Sequence, residues 1–347
     1  MTETSINDKR RCPRKSNFEL LRILAILMVV MGHFIRQSGL LESEAGTNAA
    51  LNIFLGSGGR IAVNIFLLIG SWFMVDSAFR PSKALKLYIE TAFYCIPLTL
   101  VMACLGTAGE ARNVLQGFMP FFGRPVWFAT AYISLILLTP FLNMAFLLPP
   151  KRQFHLASAL FVLFCLVSTV PSFSNIDYIA DFSWFCVLYI IVGWAKGNNI
   201  LEKVNLNKWV YALMAILIYA GMCLAARSAA LGWVANYWLD NIRTLPNVAC
   251  ALCLFMFFRK IEIGSAKVVN LLARSIFAVY VVHQIPAFRE FEWKTLCQAE
   301  TLAGLPPTIY AISIVGITLA VFLSITVIDA ARFALFSTVE SKFKKAA

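Results

Sequence analysis

The chain has 347 residues, of which 60% are hydrophobic and only 14% charged, with a formal net charge of +12. A soluble globular domain carries roughly 25% charged residues, so the composition excludes an ordinary soluble enzyme and points to a protein built for lipid. The positive balance is therefore read through its distribution between membrane loops, and no nucleic-acid partner is expected.

Every backbone group inside a bilayer must find its hydrogen bond within the protein, which leaves helices or closed barrels. The apolar runs are uninterrupted over ~20 residues, the length of a membrane helix and about twice that of a barrel strand. The expected fold is all-α, a polytopic bundle of about ten transmembrane helices. Spans are expected at 18–36, 61–79, 88–106, 126–147, 154–171, 178–195, 208–227, 245–258, 267–285 and 308–331. The eighth is short and can extend back through Tyr237 to Arg243 as a broken helix. An amino tail at 1–17 and a carboxyl tail at 338–347 flank a membrane domain at 18–337. Basic residues precede the first span as in a signal peptide, but its length and the lack of a nearby small-residue cleavage site predict that it is retained.

Lys and Arg set orientation. The amino tail holds Lys9, Arg10, Arg11, Arg14 and Lys15, and the alternate loops and carboxyl tail bring that side to about two-thirds of the 30 basic residues. Both termini are expected to be cytoplasmic, and the protein integral to the cytoplasmic membrane. The nine cysteines are scattered through apolar runs, which is no disulfide framework. Cys250 and Cys253 form a CxxC without ligand partners and read as packing.

Polar residues inside the spans need a reason, because a charge at membrane depth costs at least ~2.5–3.5 kcal/mol. The first span holds Arg22 and His33. Eleven residues at 100° each bring both to one face, ~16 Å apart along the axis. Arg22 has a bland reading, an interfacial anchor paired with Glu19 one turn away. The second span opens with Arg60 at its outer mouth and carries Asn64, Gly70, Ser71 and Trp72. Gly70 and Ser71 let helices approach closely, a role weighed against substrate contact. The fourth opens on Trp127 and Phe128, residues that also suit an interfacial belt. His155 sits at a basic helix start and reads as solvated. The ninth holds Arg274 and, nine residues later, His283, which the orientation places at the depth of His33. Two imidazoles at one level suit acid–base chemistry near neutral pH. No third ligand with metal spacing accompanies them, so no metal is expected.

Together these stretches resemble the acyltransferase-3 family of integral-membrane acyltransferases. "NFELLRILAILMVVMGHF" is similar to the first-helix signature, with ten residues between Arg and His, and "RIAVNIFLLIGSWF" to the second-helix block. "VWFATAYISLILLTPFLN", "FCVLYIIVGW" and "SIFAVYVVH" resemble blocks of the capsule and exopolysaccharide O-acetyltransferase branch. The chain departs from that branch in carrying Gly32-His33 where two histidines are common. It also reads Gly70-Ser71-Trp72 in place of Ser-Gly-Tyr, and no appended soluble domain is read.

The resemblance implies transfer of an acyl group, acetyl by default, from cytoplasmic acyl-CoA to a hydroxyl of a polysaccharide or lipid-linked glycan. His33 is then the base, with His283 orienting it or binding the acceptor and Arg22 in the catalytic set. Arg22, Arg274, Arg80, Lys83 and Lys86 are expected to hold the CoA phosphates. Glu19, Arg60, Asn64, Ser71, Trp127 and Tyr280 are expected to meet substrate. Asn64, Ser71 and Tyr280 stay open as the oxyanion donor. Membrane lipid surrounds the bundle, and the sequence leaves the oligomeric state open. The rival reading is a small-molecule transporter, which also places Arg and His on bundle-facing positions and gives Asp181 a proton-relay role.

Overall fold

The computed structural model describes residues 16–43, 46–121, 126–171 and 181–346, with side chains to 336. The basic residues from Lys9 to Lys15, the loop residue Arg124 and the start of the sixth expected span lie outside the described residues. Among the described residues the chain is helical, with no strand. Seven helices are long and apolar enough to cross a membrane, or up to nine if each of two bent pairs makes one span. That is fewer than the expected ten. The helix at the sixth expected position, Asp181–Gly197, has 17 residues and begins where the described residues resume.

The helices used below are α1 (Ser16–Gln37), α2 (Gly46–Gly56), α3 (Gly59–Met74), α4 (Pro81–Cys104), α5 (Trp127–Leu142), α6 (Pro150–Phe161), α7 (Asp181–Gly197), α8 (Lys208–Ala225), α9 (Gly232–Asp240), α10 (Leu245–Arg259), α11 (Lys267–Leu272), α12 (Ile276–Val282), α13 (Pro286–Glu290) and α14 (Pro307–Ala346). Central and peripheral helices separate by burial. In the span formed by α2 and α3, 67% of the most apolar window is buried, against 17% in the span that α6 begins and 22% in α8. The outer helices instead expose Leu, Ile and Val, such as Leu213, Ile216, Ile312 and Val327, as a lipid-facing surface requires.

Two elements, the second and ninth spans, differ from the sequence expectation. The second span begins at Gly46, well before 61. Its asparagines fall between the first two expected spans, yet they are buried and bonded. Asn52 Nδ2 donates to the Leu40 carbonyl at 2.8 Å, and Asn52 Oδ1 accepts from the Tyr310 hydroxyl at 2.7 Å. The eighth span is broken, with α9 and α10 bent by 53°, as the extension through Tyr237 anticipated.

The ninth does not end at 285. It bends by 91° and continues as Pro286–Leu296. Proline lacks an N–H and pushes the residue before it out of the helical region; Ile285 accordingly has ψ 117°. The segment after the bend is anchored by buried Trp293, whose Nε1 donates to Gln37 Oε1 at 3.0 Å.

One end of the bundle gathers cations. Asn17 donates to the Phe258 carbonyl at 2.9 Å, and Ser16 Oγ bonds Ala266 N–H and Asn270. Arg259 next to them pairs with Glu202 and lies over the Trp72 ring, on which Lys196 also sits while bonding Asp76. The first turn of α1 and of α11 therefore belongs to this basic end, and the 91° bend to the far end.

Candidate active site

Arg22 and His33 on α1 both line one cavity of about 460 Å³. At the basic end its wall includes Arg274, Leu87 and Tyr132; at the far end it includes Arg36, Gly56 and Arg60. Phe128, Trp127 and Tyr280 line it between them. Of the expected site residues the cavity thus gathers Arg22, His33, Arg60, Trp127, Arg274 and Tyr280. Glu19 lies behind Arg22 and pairs with it at 3.1 Å, so the anchoring contact and the cavity position coexist.

His283 is fully buried behind His33. His33 Nδ1 and His283 Nε2 are 2.9 Å apart, and His283 Nδ1 is 2.5 Å from the Val279 carbonyl oxygen. A carbonyl has no hydrogen to give, so His283 Nδ1 carries the proton of that bond. In a neutral His283 the other nitrogen, Nε2, is then an acceptor, and His33 Nδ1 must donate to it. This leaves His33 Nε2 with a free lone pair. The neutral pair admits this tautomer alone, which is the one a base facing the cavity needs.

Gln284 Nε2 stands 2.7 Å from the same His33 Nδ1. An amide N–H can bond Nδ1 only once that nitrogen has lost its hydrogen. The roles at His33 Nδ1 therefore depend on its protonation, with His283 and Gln284 as the two partners at that nitrogen. Sequence reading missed Gln284 because it lies past the expected chemistry of "VVH", beside the unpredicted bend. The nearby Pro286 was the available signal.

Tyr280, one turn before His283, accepts the Phe128 N–H at 3.0 Å, which leaves its own hydroxyl proton to donate. Its ring meets His283 at 6.2 Å and Phe128 at 5.4 Å. Tyr132, which the sequence did not single out, lines the cavity with a hydroxyl that has no hydrogen-bond partner among the described residues. Gly70 makes room for it, since a Cβ there would meet Tyr132 Oη at 2.4 Å.

Two of the expected oxyanion donors are elsewhere. Asn64 is fully buried, with Nδ2 donating to the Ile242 carbonyl at 2.7 Å and Oδ1 accepting from Trp184 Nε1 at 2.8 Å. Both ends of its amide are spent on holding α3 against α7 and the α9–α10 break, so it is no oxyanion donor. Ser71 is likewise fully buried and outside the cavity lining. Arg80, Lys83 and Lys86 are exposed at the start of α4, outside the cavity, although Leu87 beside Lys86 lines it. His155 is exposed. Among the described residues no three His, Cys, Asp or Glu side chains converge as metal ligands do.

The departure at Gly32 has a structural reason. A Cβ at Gly32 would lie 2.8 Å from the Gly56 carbonyl oxygen, with Gly59 N at 3.9 Å. The backbone of α1 meets the α2–α3 junction there, and no second histidine fits beside His33.

No curated protein and no solved structure matches the chain. The model of the acyltransferase-3 family, described as an acyltransferase domain, matches residues 15–327, and that span contains every residue of the cavity and the histidine pair. The chain belongs to the acyltransferase-3 family, and the cavity that joins Arg22 to His33 is the candidate active site of a membrane acyltransferase.

Proposed function

We propose that the protein transfers an acyl group, acetyl by default, from acyl-CoA to a hydroxyl of a cell-surface or exported polysaccharide at the cytoplasmic membrane. The observation that carries this reading is a single cavity with Arg22 and Arg274 at the basic end and, ~16 Å away along α1, a histidine backed by a second histidine. Arginine suits phosphate because its planar fork bonds two oxygens at once. An acyl-CoA with its phosphates at the basic end extends its thioester toward His33.

In the reaction, His33 Nε2 takes the proton of the acceptor hydroxyl, and the acceptor oxygen bonds the thioester carbonyl carbon. The Nδ1 proton of His33 passes along its bond to His283 Nε2, which spreads the positive charge over the pair. Tyr280 donates a hydrogen bond from its hydroxyl to the oxyanion. Collapse breaks the carbon–sulfur bond; the leaving thiolate takes the proton from His33 Nε2 as the Nδ1 proton returns from His283, giving acylated acceptor, CoA thiol and the starting pair. General-base help of this kind is worth ~10²–10⁴-fold.

The test supplies radiolabelled acetyl-CoA to membranes containing the protein and the cell's own glycan. Label in the glycan fraction that depends on the protein supports the reading. Donor left intact, with the protein present and folded, overturns the choice of donor.

A further inference from the structure

The cavity is unbalanced in charge. Arg22, Arg36, Arg60 and Arg274 line it, and no Asp or Glu does. Glu19 pairs with Arg22, and Asp240 pairs with Arg36 at 2.6 Å. Arg274 lies over the Phe333 ring at 4.4 Å and sits at the basic end, where the donor's phosphates are placed. Arg60 is left over. It is only half exposed and has no ion pair among the described residues.

Its position decides what can balance it. Arg60 follows Gly59, and the α2–α3 junction packs its backbone on Gly32, so Arg60 stands at the level of His33. Arg36 is one turn further along α1, and Arg60, Arg36 and His33 line the same cavity. A donor whose phosphates rest near Arg22 has its thioester, which is uncharged, beside His33. It brings no anion to Arg60. An unpaired cation held at membrane depth is costly, and it marks the place where a charge arrives with a ligand.

We propose that the acceptor is anionic, and that its carboxylate or phosphate seats on Arg60 while the neighbouring hydroxyl meets His33. The proposal rests on the acyl-transfer reading and narrows its acceptor to acidic carbohydrate. The shared chemistry is a planar or tetrahedral oxyanion that takes two hydrogen bonds from one guanidinium. A uronic acid and a phosphate-bearing sugar both supply it.

The experiment uses the full-length protein in lipid nanodiscs, labelled acetyl-CoA, and glycan isolated from cells that lack the gene. The glycan is offered native, after its carboxylates are reduced to alcohols, and after its phosphates are removed. With wild-type protein, one of the two treatments is expected to raise the acceptor KM roughly 10–100-fold, the scale of a lost hydrogen-bonded charge contact. The treatment that does so tells carboxylate from phosphate, and this arm needs no variant to fold. Arg60→Gln is expected to raise the KM for native glycan by a similar factor with kcat kept, and to respond no further to the treated glycan. Arg60→Lys is expected to recover part of the loss.

Equal KM for native and both treated glycans overturns the proposal. So does an Arg60→Gln variant, present at wild-type level, that loses kcat with KM unchanged, since Arg60 then serves the transition state. If wild type acetylates none of the three and cells with and without the gene carry the same acyl groups, the acyl-transfer reading itself falls.

Discussion

His33 and His283 are 250 residues apart in the chain, yet His33 Nδ1 and His283 Nε2 are 2.9 Å apart in space. The Val279 carbonyl fixes the tautomer of the inner ring, and the inner ring fixes that of the outer one. On the proposed mechanism the pair acts as one unit. Single substitutions within such a unit each cost nearly as much as the double. His33→Ala is expected to lower acyl transfer ~10²–10⁴-fold, His283→Ala to lower it substantially, and the double variant to be no slower than His33→Ala. Initial rates with all three proteins at matched membrane levels check this. Additive losses would mean that the two rings act separately.

Tyr280 holds the Phe128 N–H and keeps its own proton for the cavity. Tyr280→Phe removes that proton and leaves the ring contacts with Phe128 and His283 in place. The expected loss is ~10²–10³-fold in kcat, the scale of one oxyanion donor, with the donor KM nearly unchanged. Steady-state kinetics separates the two parameters. A raised donor KM with kcat intact would show that Tyr280 binds the ground state.

The approach of α1 to the α2–α3 junction leaves no room at Gly32, where a Cβ would meet a backbone oxygen that cannot turn aside. Gly32→Ala is expected to destabilise the fold by ~1–3 kcal/mol, the usual cost of overpacking. Gly221→Ala is the matched control, because nothing lies within 4 Å of its Cβ position and alanine favours a helix by roughly 0.5–1 kcal/mol over glycine. Thermal unfolding in detergent should rank Gly32→Ala below wild type and Gly221→Ala at or above it.

A buried polar group ties α4 to α14. Arg332 bonds Glu90 at 2.9 Å and Asp329 at 2.6 Å, and the Tyr94 hydroxyl donates to Asp329 at 2.5 Å. Arg332 and Glu90 are under a tenth exposed and Asp329 is fully buried. Removing the cation strands two carboxylates, and breaking a buried pair from one side costs ~3–5 kcal/mol. Arg332→Met is therefore expected to lower the unfolding midpoint far more than Tyr94→Phe, whose loss is ~1–3 kcal/mol. Equal midpoints for Arg332→Met and wild type would show that the cluster contributes nothing to stability.

Much of the bundle was legible because membrane spans are written in long apolar runs, and the 3.6-residue repeat alone puts Arg22 and His33 on one face. The early start of the second span was not legible. Asn48 and Asn52 fall between two expected spans, and nothing in the run itself announces their partners, Leu305, Leu40 and Tyr310. The bend after His283 was signalled only by Pro286. Asn64 misled for a related reason: a buried asparagine carries the same letter whether it faces substrate or, as here, Trp184 and a broken helix. Tyr132 escaped notice because its cavity position depends on the space at Gly70, a relationship between helices that one sequence does not display.

The central claim is that His33 is the base of an acyl transfer to a surface glycan. Its most direct test is the NMR signal of glycan O-acetyl groups in cells lacking the gene, complemented with wild type or His33→Ala at equal membrane levels. The account predicts that wild type restores the signal and His33→Ala does not. A full signal from the His33→Ala cells would contradict it, leaving His33 a structural residue and moving the chemistry elsewhere in the cavity.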